Sequence, residues 1–146
     1  DAIVNDEGVW TVEVNPRYTA SVEIIERAMN INAMRLNVEA CTNQQLAAVD
    51  SRCSPNDVDA IHGKAIVYAT QSIVISNSMS QDLLAMNTGR VHPVVADIPV
   101  SDTSIGVDEP IATVFATGTT ISDVKQRLRD ATTDLKKQVG DTSPSV

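Results

Sequence analysis

The segment that decides how this chain begins to fold is Val9-Trp10-Thr11-Val12-Glu13-Val14-Asn15-Pro16-Arg17-Tyr18. Apolar and polar side chains alternate over residues 9–15, which predicts a β-strand whose successive side chains point to opposite faces. The apolar set would face a core, while Glu13 and Asn15 would project together from the other face. Pro16 cannot donate to a β ladder, so we expect the strand to stop there.

Glu13 and Asn15 are candidate metal ligands because a carboxylate and an amide oxygen on one face suit Mg²⁺. This ion takes oxygen ligands, and phosphate groups commonly supply some of them. Arg17 can offer a planar pair of donors to phosphate or carboxylate. The sequence therefore predicts a metal and phosphate site. The alternative is a polar strand face in solvent, with Arg17 in an ordinary surface salt bridge.

A hairpin and two helices are predicted around this segment. Residues 2–4 and 9–14 form strands on either side of a turn at Gly8, and Asp1 to Asp6 begins so directly as a strand that we expect something to precede it. A short helix follows, with Ser21 as its N-cap and apolar residues at helical spacing. A second helix is predicted over 33–48, with Met34, Val38 and Cys41 on one face.

The second half of the chain predicts a small, mostly antiparallel β region closed by a helix. Strands are expected over 64–69, 72–76, 94–99 and 111–116, with a short helix over 78–86 and a turn at 105–110. The closing helix begins at Thr120, which with Asp123 resembles a capping box, and ends near Gly140. Its apolar stripe is Ile121, Val124, Leu128, Leu135 and Val139.

The predicted fold class is α+β, with three parts. Residues 1–50 hold the hairpin and helices, residues 51–140 the β-rich region with its closing helix, and residues 141–146 a flexible tail. The best linker candidate is residues 50–59, which contain serine, proline and asparagine.

Composition excludes several classes of function. The 146 residues carry 11 Lys and Arg against 19 Asp and Glu, a net charge of −8, which does not favour nucleic acid as a partner. The two cysteines do not suggest a disulfide framework, and we expect Cys41 to be buried and Cys53 to be exposed. No apolar run is long enough to span a bilayer, so we expect no membrane contact and a cytoplasmic location.

The run Glu13-Val14-Asn15-Pro16-Arg17 resembles the last metal-binding strand of the ATP-grasp ligases. The second half is similar to the region that follows the grasp domain in carboxylate-amine ligases and biotin-carboxylase-like enzymes. The matching features, in order along the chain, are Gly63-Lys64-Ala65 at a strand start, Asp97-Ile98-Pro99 at a strand end, Gly106 to Pro110 before a strand, and the terminal helix.

This resemblance implies an ATP-dependent ligase acting on a small-molecule carboxylate, with ATP and Mg²⁺ as cofactors. Glu13 and Asn15 would hold the magnesium, and Arg17 would contact the transferred phosphate or the acyl-phosphate intermediate. The resemblance also implies elements that this chain lacks, including an upstream acidic ligand, phosphate-binding lysines and a glycine-rich flap. The chain is then expected to act only with an N-terminal ATP-grasp portion or a partner chain. The alternative is a non-catalytic assembly module that packs on a partner, without metal at Glu13.

Overall fold

The computed structural model describes residues 1–15, 17–44 and 60–141. The chain divides into two compact units, Asp1–Asn56 and Asp57–Val146. The described residues form four helices and small antiparallel sheets, which confirms the α+β class. No helix among them is long and apolar enough to cross a membrane.

The first unit opens with the predicted hairpin. Strand β1 (Ala2–Asn5) pairs antiparallel with strand β2 (Gly8–Thr11), and Ile3 lies opposite Trp10. The Asn5 side-chain oxygen accepts hydrogen bonds from the backbone N–H groups of Glu7 (3.0 Å) and Gly8 (3.2 Å), which closes the turn. Gly8 has a φ of 142°, a conformation that side chains other than glycine rarely adopt.

The second strand is shorter than the sequence predicted. It ends at Thr11 because the residue paired with Thr11 is Ala2, the first residue of β1. Beyond that pair, the carbonyl oxygen of Asp1 accepts from the backbone N–H groups of Val12 (2.9 Å) and Glu13 (3.4 Å). Pro16, the predicted stop, lies outside the described residues.

The prediction that one face of this hairpin meets a core is wrong. Trp10 is 57% exposed and Val14 is 79% exposed, and no described residue of the first unit is buried. Two strands provide a single layer, and a layer buries an apolar face only when a second layer covers it. The exposed apolar side chains of the hairpin and the residues after it are Ile3, Val4, Val9, Trp10, Val12 and Val14.

Helix α1 (Ala20–Met29) follows, with its boundary slightly different from the prediction. Its N-cap is Thr19, and the predicted cap Ser21 lies in the first turn, where its hydroxyl is 3.0 Å from that of Thr19. Asn30 ends the helix in the left-handed conformation.

Helix α2 (Ala33–Asn43) begins where it was predicted. The side chain of its N-cap Asn32 accepts from the Arg35 backbone N–H (2.7 Å). The predicted stripe is wrong, since Met34, Val38 and Cys41 are exposed and the less exposed apolar side chains are Ala33, Leu36 and Ala40. The helix ends at Asn43, ahead of the predicted end at 48, because Gln44 adopts the left-handed conformation. The linker at 50–59 and Cys53 lie outside the described residues.

The second unit is built on a three-stranded antiparallel sheet. Its elements along the chain are β3 (Ile61–Tyr68), β4 (Ile73–Val74), α3 (Asn77–Ala85), β5 (Val95–Ala96), β6 (Ser104–Ile105), β7 (Pro110–Gly118) and α4 (Ile121–Gln138). Strand β7 lies between β3 and β5, and β4 pairs separately with β6. Ile105, which was expected to lie in a turn, pairs with Ile73. Strand β5 ends before Asp97 because that residue has a φ of 54°.

Helix α4 packs closely on β3 and β7. A β-carbon at Gly63 would lie 2.6 Å from Val124 Cγ1, so the absence of a side chain at this position permits the approach. Val124 and Leu135 of the predicted stripe are buried, whereas Ile121 is exposed. The cap at Thr120 and the stop at Gly140, which has a φ of 72°, are confirmed. The buried core of this unit includes Val67, Ile75, Leu83, Val95, Ile111, Val114, Leu135 and Val139.

Asp141, the first residue of the predicted flexible tail, is a buried carboxylate. It accepts from the Thr70 backbone N–H (2.9 Å) and from the Thr70 hydroxyl, and it lies 3.5 Å from Lys136 Nζ. Burial alone would raise the pKa of Asp141, but the two bonds from Thr70 and the charge of Lys136 together lower it. The carboxylate therefore fastens the end of α4 to the loop after β3. Residues 142–146 lie outside the described residues.

We expect Asp141→Asn to lower the free energy of unfolding by about 1–3 kcal/mol at pH 7, because buried donors lose a charged acceptor. The pKa of Asp141 is lower in the folded state, so its contribution is present above the ordinary value of 3.8 and is lost as the pH falls through the folded value. Urea unfolding followed by circular dichroism at several pH values should show the difference from wild type shrinking below about pH 4.

The matched control is Asp134→Asn, which alters an exposed carboxylate on α4 that lies 3.4 Å from Lys137 Nζ. It should change stability by less than about 0.5 kcal/mol. Equal losses for the two variants would contradict the role given to Asp141.

Candidate functional site

Glu13 and Asn15 lie in extended chain just after β2, and their side chains meet. Asn15 Nδ2 donates to Glu13 Oε1 over 3.1 Å. Glu13 is exposed and Asn15 is half-buried. The Asp1 nitrogen donates to the Glu13 carbonyl oxygen (2.6 Å), which holds this segment extended although it is not paired as a strand. Side chains two residues apart in extended chain share a side, as the sequence predicted.

The same two side chains open on a surface cavity of about 900 Å³ that Arg17 also lines. The structure therefore brings together all three residues that the sequence singled out. The further lining residues are Asp1, Ala2, Thr11, Val14, Thr19, Ala20, Ser21, Val22 and Ile25. The cavity belongs to the first unit throughout.

The N-terminal turn of α1 forms one side of this cavity. Ala20, Ser21 and Val22 all line it, and they are the first three residues of the helix. Backbone N–H groups in the first turn of a helix generally have no acceptor within the helix, and the helix dipole makes this end partly positive. The Val22 N–H already donates to the Thr19 carbonyl oxygen (3.0 Å), so it does not contribute a free donor. An anion in the cavity would therefore be attracted both by this turn and by the Arg17 guanidinium.

The donor set fits a hard cation only in part. Asn15 presents Nδ2 rather than Oδ1 to Glu13, so the amide would have to rotate before both residues could hold one ion through oxygen. Within residues 1–15, 17–44 and 60–141, no group of three or more His, Cys, Asp or Glu side chains could hold a metal. Glu13 and Asn15 could supply two of the roughly six oxygens that Mg²⁺ takes, so phosphate and water would have to complete the shell.

A second set of contacts, not predicted from the sequence, begins at Tyr18, the residue after Arg17. The Tyr18 hydroxyl donates to Glu26 Oε2, and Glu26 Oε1 accepts from the Ala33 backbone N–H (2.6 Å). The hydrogen bond to Glu26 raises the pKa of Tyr18 to about 12, with help from desolvation and from the negative charges of Glu26 and Glu23. The phenol therefore stays protonated at neutral pH.

One further lining residue follows from the strand pattern, whereas no pattern in the sequence indicates the contact between Tyr18 and Glu26. Thr11 shares the alternation of Glu13 and Asn15, so its place on the cavity follows from the period of two. Tyr18 and Glu26 are eight residues apart, with a loop and a helix start between them. No helical or strand period connects two such positions.

No protein family, curated protein or solved structure matches this chain. The resemblance to the ATP-grasp ligases therefore stays a prediction that depends on residues 13–17 and on the order of the later motifs.

Ionisation of Tyr18 offers a direct check on its bond to Glu26. Tyr68→Phe leaves Tyr18 as the sole tyrosine of the two in the chain, so phenolate absorbance reports on it alone. In that background we expect a midpoint near pH 12, and Glu26→Gln should return it towards 10. Because the pKa is raised in the folded state, the bond stabilises the fold below pH 10 and is lost as the pH rises towards 12. A midpoint that Glu26→Gln leaves unchanged would contradict the contact.

Proposed function

We propose that this chain is the C-terminal portion of an ATP-dependent carboxylate ligase of the ATP-grasp type. The observation that supports this most is that Glu13, Asn15, Arg17 and the first turn of α1 line one cavity. A pair of oxygen ligands next to cationic and helix-end donors suits a magnesium ion with phosphate groups.

In this proposal each residue has a limited electrostatic role. Glu13 and Asn15 would hold Mg²⁺ through side-chain oxygens, and the ion would supply neutralisation of charge on the phosphates of ATP. Arg17 holds the transferred phosphate or the acyl-phosphate through its planar donors. Phosphoryl transfer depends mostly on positioning and charge neutralisation, so these roles suffice for one side of such a site.

The exposed hairpin supports the idea that further protein completes the site. The first unit buries none of its described residues and leaves apolar side chains on both hairpin faces in solvent. Edge strands and apolar faces of this kind are normally covered. An N-terminal ATP-grasp portion would cover them, and would also bring the remaining metal ligand, the phosphate-binding lysines and the carboxylate substrate site.

The same exposed faces also favour the second candidate, a non-catalytic assembly module that packs on a partner chain. The two candidates differ at Glu13, which holds a metal in the first and none in the second. A test for metal and nucleotide at that residue therefore separates them.

The test titrates the chain with Mn²⁺ in place of Mg²⁺, with and without ADP, and follows the amide resonances. We expect Mn²⁺ with ADP to broaden selectively the amide resonances of the residues that line the cavity, namely Thr11, Glu13, Val14, Asn15, Arg17 and Thr19. Binding should be weak, since two protein ligands leave most of the metal shell to water and phosphate. Glu13→Gln should remove the selective broadening without changing the circular dichroism spectrum.

The matched control is Glu7→Gln, which alters an exposed carboxylate in the turn of the same hairpin and should leave the broadening intact. Broadening that persists in Glu13→Gln, or an absence of selective broadening in the wild-type chain, would contradict the ligase proposal and favour the assembly module.

A further inference from the structure

The three consecutive residues 17–19 differ in whether they line the cavity. Arg17 and Thr19 line the cavity, whereas Tyr18 between them does not. Instead the Tyr18 hydroxyl donates to Glu26, two turns into α1. The segment 17–19 is not part of a helix or strand, so this side-chain bond ties it to the helix.

Glu26 contacts more than Tyr18. Its second carboxylate oxygen accepts from the Ala33 N–H at the start of α2, and its backbone carbonyl oxygen accepts from the Ile31 N–H (3.1 Å). One residue therefore joins the loop before α1, the helix itself and the connection to α2. Both of its carboxylate oxygens are engaged, which fixes the side chain in one orientation.

We propose that Glu26 is a positioning residue that acts through Tyr18 to hold Arg17 in place against the cavity. The identity of what Arg17 binds rests on the proposed function, but the positioning does not. Arg17 is exposed, and a long side chain on an unanchored loop loses more conformational freedom when it binds a ligand. Fixing the residue that follows Arg17 beforehand reduces that loss.

The arginine that follows Glu26 in the sequence lies close to a different carboxylate, that of Glu23. Arg27 lies 3.7 Å from Glu23, and only 9% of its side chain is exposed. Burial lowers the pKa of Arg27, while the charge of Glu23 raises it in part. Glu26 accepts from the Tyr18 hydroxyl and the Ala33 N–H, and the bond from Tyr18 persists at neutral pH because the phenol remains protonated.

The experiment compares Tyr18→Phe and Glu26→Gln with wild type in the full chain. The first reading, taken without ligand, is the backbone ¹⁵N order parameter at residues 17 and 19. We expect the order parameters to fall from the rigid value of about 0.85 towards about 0.6 in both variants. Tyr18→Phe removes a single oxygen, so a folding defect is not expected to obscure this reading.

The second reading is the apparent affinity for Mg·ADP. We expect both variants to weaken it about three- to tenfold, the cost of ordering one long side chain. Selective Mn²⁺ broadening at residues 13 and 15 should persist, because the metal ligands are untouched. A general folding defect would remove that broadening as well.

Glu39→Gln is the matched control, since Glu39 makes an exposed ion pair with Arg35 (2.9 Å) on α2 and, within the described part of the chain, no hydrogen bond with residues 17–19. It should leave both readings at wild-type values. Order parameters that stay at wild-type values in Tyr18→Phe would overturn the positioning role. If they fall but the wild-type chain binds no Mg·ADP, the positioning role stands and the ligase proposal fails.

Discussion

The candidate site depends on the backbone hydrogen bonds between Asp1 and the residues after β2. The Asp1 nitrogen and carbonyl oxygen bond to Glu13 and Val12, so the chain stays extended past the last strand pair. In extended chain Glu13 and Asn15 share a side, and Arg17 lines the same cavity. Without this constraint the carboxylate and the amide would have no fixed relation.

The two units differ in how they are stabilised. In the second unit α4 covers the β3–β7 pair, and a continuous set of buried aliphatic side chains provides the driving force for folding. The first unit has local hydrogen bonds, turns and caps but no buried core among its described residues. Hydrophobic burial is the dominant favourable term in folding, so the first unit is the one that gains most from contact with additional protein. The segment that holds the candidate ligands Glu13 and Asn15 would then be ordered most strongly where that protein is present.

Local signals in the sequence predicted local structure well. The alternation over residues 9–15 gave the shared side of Glu13 and Asn15, and Thr120 and Gly140 gave both ends of α4. Burial was harder, because a period of two tells which side chains share a face but not whether anything covers that face. Trp10 illustrates this limit, since its predicted core contact is absent from the described structure.

Long-range contacts were not predictable from periodicity. Asp141 follows the terminal helix and has the polar neighbours of a tail, but its partner Thr70 lies 71 residues earlier. Tyr18 and Glu26 likewise meet because a loop turns back on a helix. Each is a side-chain bond that depends on the path of the chain between the two residues, which composition and spacing do not specify.

The central claim is that Glu13 and Asn15 together bind a divalent cation through oxygen. Its most direct test is the hyperfine coupling between bound Mn²⁺ and side-chain carbons in chain labelled with ¹³C at glutamate and asparagine, in the presence of ADP. Bonded oxygens lie about 2.1 Å from an ion of the magnesium type, so we expect strong coupling to one carboxylate and one amide carbon, lost in Glu13→Gln and Asn15→Ala respectively. Coupling to neither carbon, with Mn²⁺ bound, would contradict the claim.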